Sequence, residues 1–485
     1  MLTRDEFQSL YEQGPEAVWS AFAELQNNVT AQQAQMQILQ EQIKELKDRL
    51  GKDSHNSNKP PSSDGLGKKP VSLRTKSGRK PGGQPGHRGR TLEFSDNPDH
   101  IVVHSPTCCI GCGTSLEAVS AACSERRQVV DLPPLALEVT EHRSEHKVCP
   151  GCGCQNQGVF PVEAVTSLQY GPRVKALGLY LLNYQLLPYK RIADFFADLF
   201  DASLSPGTLF EAQQSASTRL QPVVAAIRKA LQKAEVAHFD ETGFRVEGVL
   251  HWLHSASTAS LTAYSWHKKR GKIGMDAAGV LPNFTGRAVH DGYKSYQQYD
   301  CSHALCNAHH LRELTALYEQ TGAEWAKQMR HLLVEIKNAV ETAKQQGKTR
   351  LSVLWEAHFE GRYRQIIKQG FAANPPPAPI SGKRGRVKQS TARNLLERLQ
   401  NEEQVLAFLY DFAVPFDNNQ AERDIRMMKL QQKISGCFRS TAGADAFCRI
   451  RSYICTLQKQ GQQILSSLEH ALRGTPVYPQ GTAEQ

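Results

Sequence analysis

Residues 236–248 read VAHFDETGFRVEG, and three further segments share their character: VLHWLHSAST (249–258), LTAYSWHKK (261–269) and GRAVHDGY (286–293). Apolar and polar positions alternate with period two, and Gly248 and the Ser/Thr-rich 257–260 stretch punctuate them as turns do. The pattern predicts three consecutive antiparallel strands and then a fourth. Asp240 ends the apolar run Val236-Ala237-His238-Phe239, and Asp291 ends Arg287-Ala288-Val289-His290. An acid at the exposed end of an inward-facing strand is out of place unless it binds something. Two such acids on neighbouring strands can converge on a divalent cation, which prefers hard oxygen ligands. Glu241 is a rival, but should face the opposite side of the strand.

A third acid is expected from a later helix. In Asn418-Asn419-Gln420-Ala421-Glu422-Arg423-Asp424-Ile425-Arg426-Met427-Met428-Lys429, residues Glu422, Arg426 and Lys429 stand at i, i+4 and i+7, on one face. One acid for metal and two cations for phosphates suit work on DNA. A solvated salt-bridge face is an equal reading of the spacing alone. Asp424 is the rival acid, roughly 200° around the helix from Glu422. Asn418, Asn419 and Tyr293 are lesser candidates for shaping the site.

Around this core the 485 residues divide by composition. In residues 1–50, Val18, Phe22, Leu25, Val29, Gln32, Met36, Leu39, Ile43, Leu46 and Leu50 alternate at spacings of four and three, a heptad seam that predicts a self-associating coiled coil closed by Gly51. Residues 51–90 hold ten Lys/Arg against two acids and almost nothing to bury. They predict a flexible basic arm that gains affinity for nucleic acid by neutralising phosphates, with Lys68, Lys69, Arg79, Lys80, Arg88 and Arg90 as candidate contacts. The net charge of +10 is modest for the length and concentrated there.

Residues 91–160 read as a short-stranded zinc module. Cys109-Ile110-Gly111-Cys112-Gly113 and Cys149-Pro150-Gly151-Cys152-Gly153 repeat C-x-x-C-G, and two such turns supply the four thiolates of a structural Zn²⁺ site, as in a zinc ribbon. Cys108 and Cys154 flank the pairs; Cys109 and Cys152 are preferred because they make the two motifs match. Residues 161–235 read as a helical connector or DNA-binding region, with Ser205 as an N-cap. The Ile192–Leu209 segment has a weak helix-turn-helix pattern that ordinary helical packing explains better. The core's first part spans 236–303, a helical insertion 304–390, the core's second part with the Glu422 helix 391–440, and a C-terminal element 441–485. Cys301, Cys306, His303, His309 and His310 form a second cluster, for which buried thiols and satisfied histidines are favoured over a metal site. No apolar run is long enough to span a bilayer and no secretory signal opens the chain. The expectation is a cytoplasmic, nucleoid-associated bacterial protein with reduced thiols and no membrane partner.

The heptad helix, NSNKPPSSD (56–64), KPGGQPGHRG (80–89), the paired C-x-x-C-G, HFDETGFRV (238–246), VHDGYKSY (289–296), LCNAHHLREL (305–314) and FDNNQAERDIRMMK (416–429) together resemble the insertion sequence 66 family of transposases. The resemblance implies a DDE-type enzyme on a ribonuclease H-like α/β core with a helical insertion, within a multidomain α+β chain. It matches Asp240, Asp291 and Glu422 to the catalytic acids. It further implies two Mg²⁺ (or Mn²⁺) about 3.5–4 Å apart, cleavage at the ends of the element, and strand transfer of the 3′-hydroxyl into target DNA. Homo-oligomers and helper proteins of the same element are implied partners. A non-catalytic DNA-binding regulator and a metal-dependent nuclease of the same fold are the alternatives. No P-loop motif is present, so no nucleotide cofactor is expected.

Overall fold

The computed structural model describes residues 3–51, 56–57, 92–161, 163–376 and 389–482. Two compact units divide the chain: residues 74–160 with 193–204, and the remainder.

In the larger unit, helices α1 (Arg4–Glu12) and α2 (Pro15–Leu50) come first. Pro15 opens α2 in its first turn, where a missing N–H costs nothing, and Gly51 follows its end as the sequence predicts. Phe22, Leu25, Val29, Met36, Leu39, Ile43 and Leu46 of the heptad seam are all exposed within the chain. The six basic residues expected to contact DNA from the 51–90 arm lie outside the described residues.

The smaller unit carries a short hairpin, β1 (His146–Val148) with β2 (Gln155–Gln157). After it come α3 (Pro172–Leu179), α4 (Tyr189–Phe200), whose residues from Ala193 on belong to the smaller unit, α5 (Pro206–Arg219) and α6 (Gln221–Gln232). Ser205 Oγ accepts the Thr208 amide at 3.1 Å, the N-cap expected of it.

The sheet then begins: β3 (Val236–Val246), β4 (Val249–Ser257), β5 (Thr262–His267), helix α7 (Lys272–Ala278), β6 (Arg287–His290) and β7 (Ser302–Leu305). Glu247 and Gly248 have φ of 52° and 76°, the paired positive values of a two-residue hairpin loop that matches strand twist. Among the described residues the strand order is β5-β4-β3-β6-β7; β3, β4 and β5 are antiparallel neighbours, while β6 and β7 run parallel to β3. The four expected strands are present. Helix α7 and strand β7 were not expected: α7 has only seven residues, and β7 has four, buried inside a segment read as the start of a helix.

Helices α8 (Asn307–Thr321), α9 (Glu324–Gln345), α10 (Val353–Ala373), α11 (Thr391–Leu399), α12 (Glu402–Val405) and α13 (Ala407–Tyr410) follow. Leu332, Phe359, Tyr363, Leu395 and Leu409 share one buried apolar cluster with Val289 and Leu305 of the sheet, so α11–α13 pack as part of the helical mass. Helix α14 (Asn419–Ser435) returns to the sheet, where Met428 is buried with Phe244 and Leu253. Helices α15 (Thr441–Lys459) and α16 (Ile464–Arg473) close the chain.

An unpaired strand edge invites association with other chains, and here α15 covers it. Thr456 Oγ1 accepts the Thr262 amide at 3.0 Å and donates to the Thr262 carbonyl at 3.2 Å, while Ser452 Oγ accepts the Tyr264 amide at 2.8 Å. Two helix hydroxyls thereby take the place of a sixth strand along β5.

Candidate active site

The parallel register of β3 and β6 pairs Val236 with Arg287, Ala237 with Ala288 and His238 with Val289. Carried on by two residues, it sets Asp240 beside Asp291. Adjacent strands lie about 4.8 Å apart, so the two acids stand at neighbouring strand ends by construction. Alternation along β3 turns His238, Asp240 and Phe244 toward α14, and Phe239 and Glu241 to the other side.

Asn418, almost fully buried, docks the start of α14 on β3. Its side chain donates to the Phe239 carbonyl at 2.8 Å and its Oδ1 lies 2.7 Å from His238 Nδ1. This brings Glu422, in the first turn of α14, to the two aspartates. All three acids are partly exposed. Burial first, then the charges of Glu241, Asp291 and Glu422, push the Asp240 carboxyl well above the usual carboxylate range, against a lowering hydrogen bond from the Glu241 amide at 2.8 Å. Asp291 Oδ1 accepts the Tyr293 amide at 2.9 Å. The three carboxylates do not close to within 4.8 Å of one another.

The rival acids have partners of their own. Glu241 is buried on the opposite face, accepting Arg270 Nε and Tyr296 Oη at 2.8 and 2.5 Å. Arg270 in turn lies over the rings of Tyr293 and Trp252. Burial still raises the Glu241 pKa, against the lowering hydrogen bond from Tyr296. Asp424 points away from Glu422 into a buried ion pair with Lys459 at 2.7 Å. Glu422 therefore is the acid of this helix that faces Asp240 and Asp291.

Of the two expected phosphate ligands, Arg426 is exposed on α14, whereas Lys429 donates to the Gly243 carbonyl at 2.5 Å. A nearer cation was not foreseen: Arg312 Nη1 of α8 is 4.0 Å from Glu422 Oε1. For Cys306 and His309 the sequence favoured a buried thiol and a satisfied histidine over metal ligands, yet both lie beside Glu422. Their ligand atoms and that of Glu422 lie within 4.8 Å of one another, the one such trio of His, Cys, Asp or Glu among the described residues. The signal available in sequence was the C-x-x-H spacing Cys306-Asn307-Ala308-His309 at a helix start. The other members of that cluster are satisfied as expected: His303 Nδ1 pairs with His290 Nε2 at 3.0 Å, and His310 Nδ1 with Asn307 Oδ1 at 3.1 Å.

In the smaller unit the two C-x-x-C-G turns are congruent. The Cys109 amide donates to Thr114 O at 2.9 Å and the Gly113 amide to Cys109 O at 2.9 Å; the Cys149 amide donates to Cys154 O and the Gly153 amide to Cys149 O, both at 2.8 Å. Gly113 and Gly153 have φ of 75° and 72°, which an L side chain would strain. Cys108 pairs with Ser115 as Val148 pairs with Gln155. Position for position Cys109 corresponds to Cys149 and Cys112 to Cys152, while Cys108 and Cys154 fall outside the turns. The Cys112 thiol is lowered chiefly by the Thr114 hydroxyl at 3.2 Å, and the Cys149 thiol chiefly by the Gly151 amide. The sulfurs of the two turns are not gathered within 4.8 Å as one set.

A family model described as the transposase IS66 family matches residues 167–446, the span that contains the sheet, α14 and all three acids. The chain belongs to the IS66 family of transposases. A second model, for a family of unknown function, matches residues 12–93. Among curated proteins none matches the chain. A transposase acts on DNA, so family membership implies a DNA partner. No helix among the described residues is long and apolar enough to cross a membrane.

Proposed function

We propose that this IS66 family member is a DDE transposase whose centre is Asp240, Asp291 and Glu422, on a ribonuclease H-like core. The observation that carries the reading is the β3–β6 register, which sets Asp240 beside Asp291 with Glu422 brought over them by Asn418. The strand order, with three antiparallel strands followed by two parallel to the first, supports that core.

The donor set fits Mg²⁺ or Mn²⁺: three hard carboxylates, of which Asp240 is raised by burial first and then by the charges of Glu241, Asp291 and Glu422, a strain that a cation would relieve. Bound there, divalent ions would activate the attacking oxygen and stabilise the leaving one. The chain's own residues do the rest. Asp240 and Asp291 are fixed by strand register, and Glu422 by the docked first turn of α14. Arg312 and Arg426 are placed to receive phosphate oxygens. Arg270 holds Glu241 on the far face, so that this acid does not compete for the ions.

Around the centre, the basic arm with Lys68, Lys69, Arg79, Lys80, Arg88 and Arg90 would grip the DNA backbone. Cys109, Cys112, Cys149 and Cys152 would hold a structural Zn²⁺, and α2 would join copies of the chain. Companion proteins of the same element are proposed partners.

The test is a strand-transfer assay with labelled element-end DNA and target DNA in Mg²⁺. Joined product is expected. Binding without cleavage would make the chain a regulator, and hydrolysis without joining would make it a nuclease.

A further inference from the structure

Cys306 and His309 have no part in the carboxylate centre as proposed, yet they adjoin its third acid. Cys306 follows β7 and caps α8. Its amide donates to His290 O at 2.9 Å, and the Asn307 amide donates to Phe416 O at 3.1 Å. The residue thus stands where β6, β7, α8 and the approach to α14 meet. Its sulfur is buried and accepts the Asn418 amide at 3.1 Å, with the His309 amide also directed at it. Burial pushes the Cys306 thiol up to about 12, against the lowering of these two backbone N–H groups, so its sulfur becomes a thiolate only with a cation beside it.

His309 Nε2 lies 3.8 Å from Glu422 Oε1, too far for a hydrogen bond. Its Nδ1 is buried without a hydrogen-bond partner. One sulfur, one imidazole and one carboxylate oxygen therefore surround a small gap without bonding across it. In a tetrahedral zinc site, ligand atoms about 2.0–2.3 Å from the metal stand about 3.3–3.6 Å from each other. The present spacing needs only a small closure. Sulfur and imidazole select a borderline-soft ion, whereas Mg²⁺ demands oxygen ligands.

We propose that Cys306, His309 and Glu422 form a site for a borderline-soft divalent cation, Zn²⁺ in preference to Mg²⁺, which shares Glu422 with the carboxylate centre. Binding displaces the thiol proton to solvent and leaves an open fourth position for water. With Glu422 drawn to this ion, the two aspartates lose their third partner, so occupancy opposes Mg²⁺-dependent chemistry. Only that last consequence rests on the transposase reading; the site itself does not.

Cobalt(II) is the probe, added in the presence of Mg²⁺ to the full chain carrying only the one equivalent of zinc that the four thiolates of the C-x-x-C-G turns take first. Thiolate ligation gives an intense charge-transfer band, while oxygen-only ligation gives weak absorption. The expected result is a saturable band that Cys306→Ser abolishes and that His309→Gln and Glu422→Gln shift to at least tenfold higher cobalt concentration. His309→Gln leaves the sulfur and its amide donors in place, so it reads the site even if Cys306→Ser perturbs folding. A band unchanged in all three variants, or weak absorption only, overturns the site. DNA cleavage with no Cys306-dependent band refutes the site alone, and the band without cleavage refutes the transposase chemistry alone.

Discussion

Lys459 Nζ lies 2.7 Å from Asp424 Oδ2, with both side chains nearly buried, two residues along α14 from Glu422. The ammonium also donates to the carbonyls of Thr258 and Leu261, at 2.9 and 3.2 Å. The pair thus ties α14 and α15 to the β4–β5 turn. Burial lowers the Lys459 ammonium more than Asp424 restores it. Removing one partner strands the other charge, at a cost of about 3–5 kcal/mol. Asp424→Ala is therefore expected to lower the urea midpoint strongly while its folded fraction still cleaves DNA. Glu422→Gln is expected to show the reverse, a near-normal midpoint and no cleavage. Cleavage by Glu422→Gln but not by folded Asp424→Ala would exchange the two roles.

The carboxylate cluster makes a second, paired prediction. Asp240 bears the repulsion of Glu241, Asp291 and Glu422 in addition to burial. An amide in its place keeps the shape and removes a charge. Asp240→Asn is expected to melt at a higher temperature than the unaltered protein without divalent ions, and to lose the stabilisation that Mg²⁺ confers. Its cleavage rate should fall about 10³-fold or more, the scale of removing a group that organises transition-state charge. Melting curves with and without Mg²⁺ check both; an Asp240→Asn protein that Mg²⁺ still stabilises by the full amount refutes the ligand assignment.

Much of this was legible in the sequence because the decisive elements are local. Period-two alternation marked β3 to β6, and an acid closing each of two apolar runs marked Asp240 and Asp291. Glu422 was harder. Helical spacing put it on a face with Arg426 and Lys429, and spacing says nothing of which face meets the sheet. That choice is made by Asn418, which reaches His238 and Phe239 across 180 and 179 residues. Strand β7 was hidden because four residues carry too little pattern to stand out beside the helix that follows. The Arg270–Glu241 pair was hidden for a similar reason, and the C-x-x-H spacing of Cys306 and His309 gave no sign of Glu422, since both are joined to their partners through tertiary packing.

The congruent turns of the smaller unit support the proposed zinc register. Cys109, Cys112, Cys149 and Cys152 occupy matched positions, while Cys108 lies one residue before Cys109 and Cys154 two residues beyond Cys152. Cys109→Ser or Cys152→Ser is expected to lose about one zinc per chain by metal analysis, because a four-thiolate site tolerates no missing ligand. Cys108→Ser and Cys154→Ser are expected to retain it. Zinc lost from the second pair of variants and kept in the first would shift the ligand register.

The heptad residues of α2 give a fourth prediction. Leu39 and Ile43 are 49% and 51% exposed within the chain, and burial of apolar surface contributes about 25 cal/mol per Å². A seam of that kind is satisfied by a second copy. Sedimentation of the full chain is expected to show an oligomer, and Leu39→Glu with Ile43→Glu is expected to reduce it to monomer without changing the melting of the sheet unit. A monomeric starting protein would refute the coiled-coil reading.

Acid should unfold the protein through histidines held neutral in its interior. Burial takes His254 down to about 4 and His310 to about 3, from an ordinary value of 6.5. A depressed histidine contributes stability that is complete above the ordinary value and is lost as pH falls through 6.5 toward the folded one. In that window each costs about 1.4 kcal/mol per pH unit. The raised carboxyls of Asp240 and Glu241 act oppositely, their destabilisation growing as pH rises above the ordinary carboxylate range. The histidine part is therefore read by difference. Urea midpoints are expected to fall between pH 6.5 and 5 in the unaltered protein, and to fall less steeply in His310→Gln, whose amide keeps a partner for Asn307 without a proton to gain. Parallel pH slopes for the two proteins would show that His310 is not held neutral.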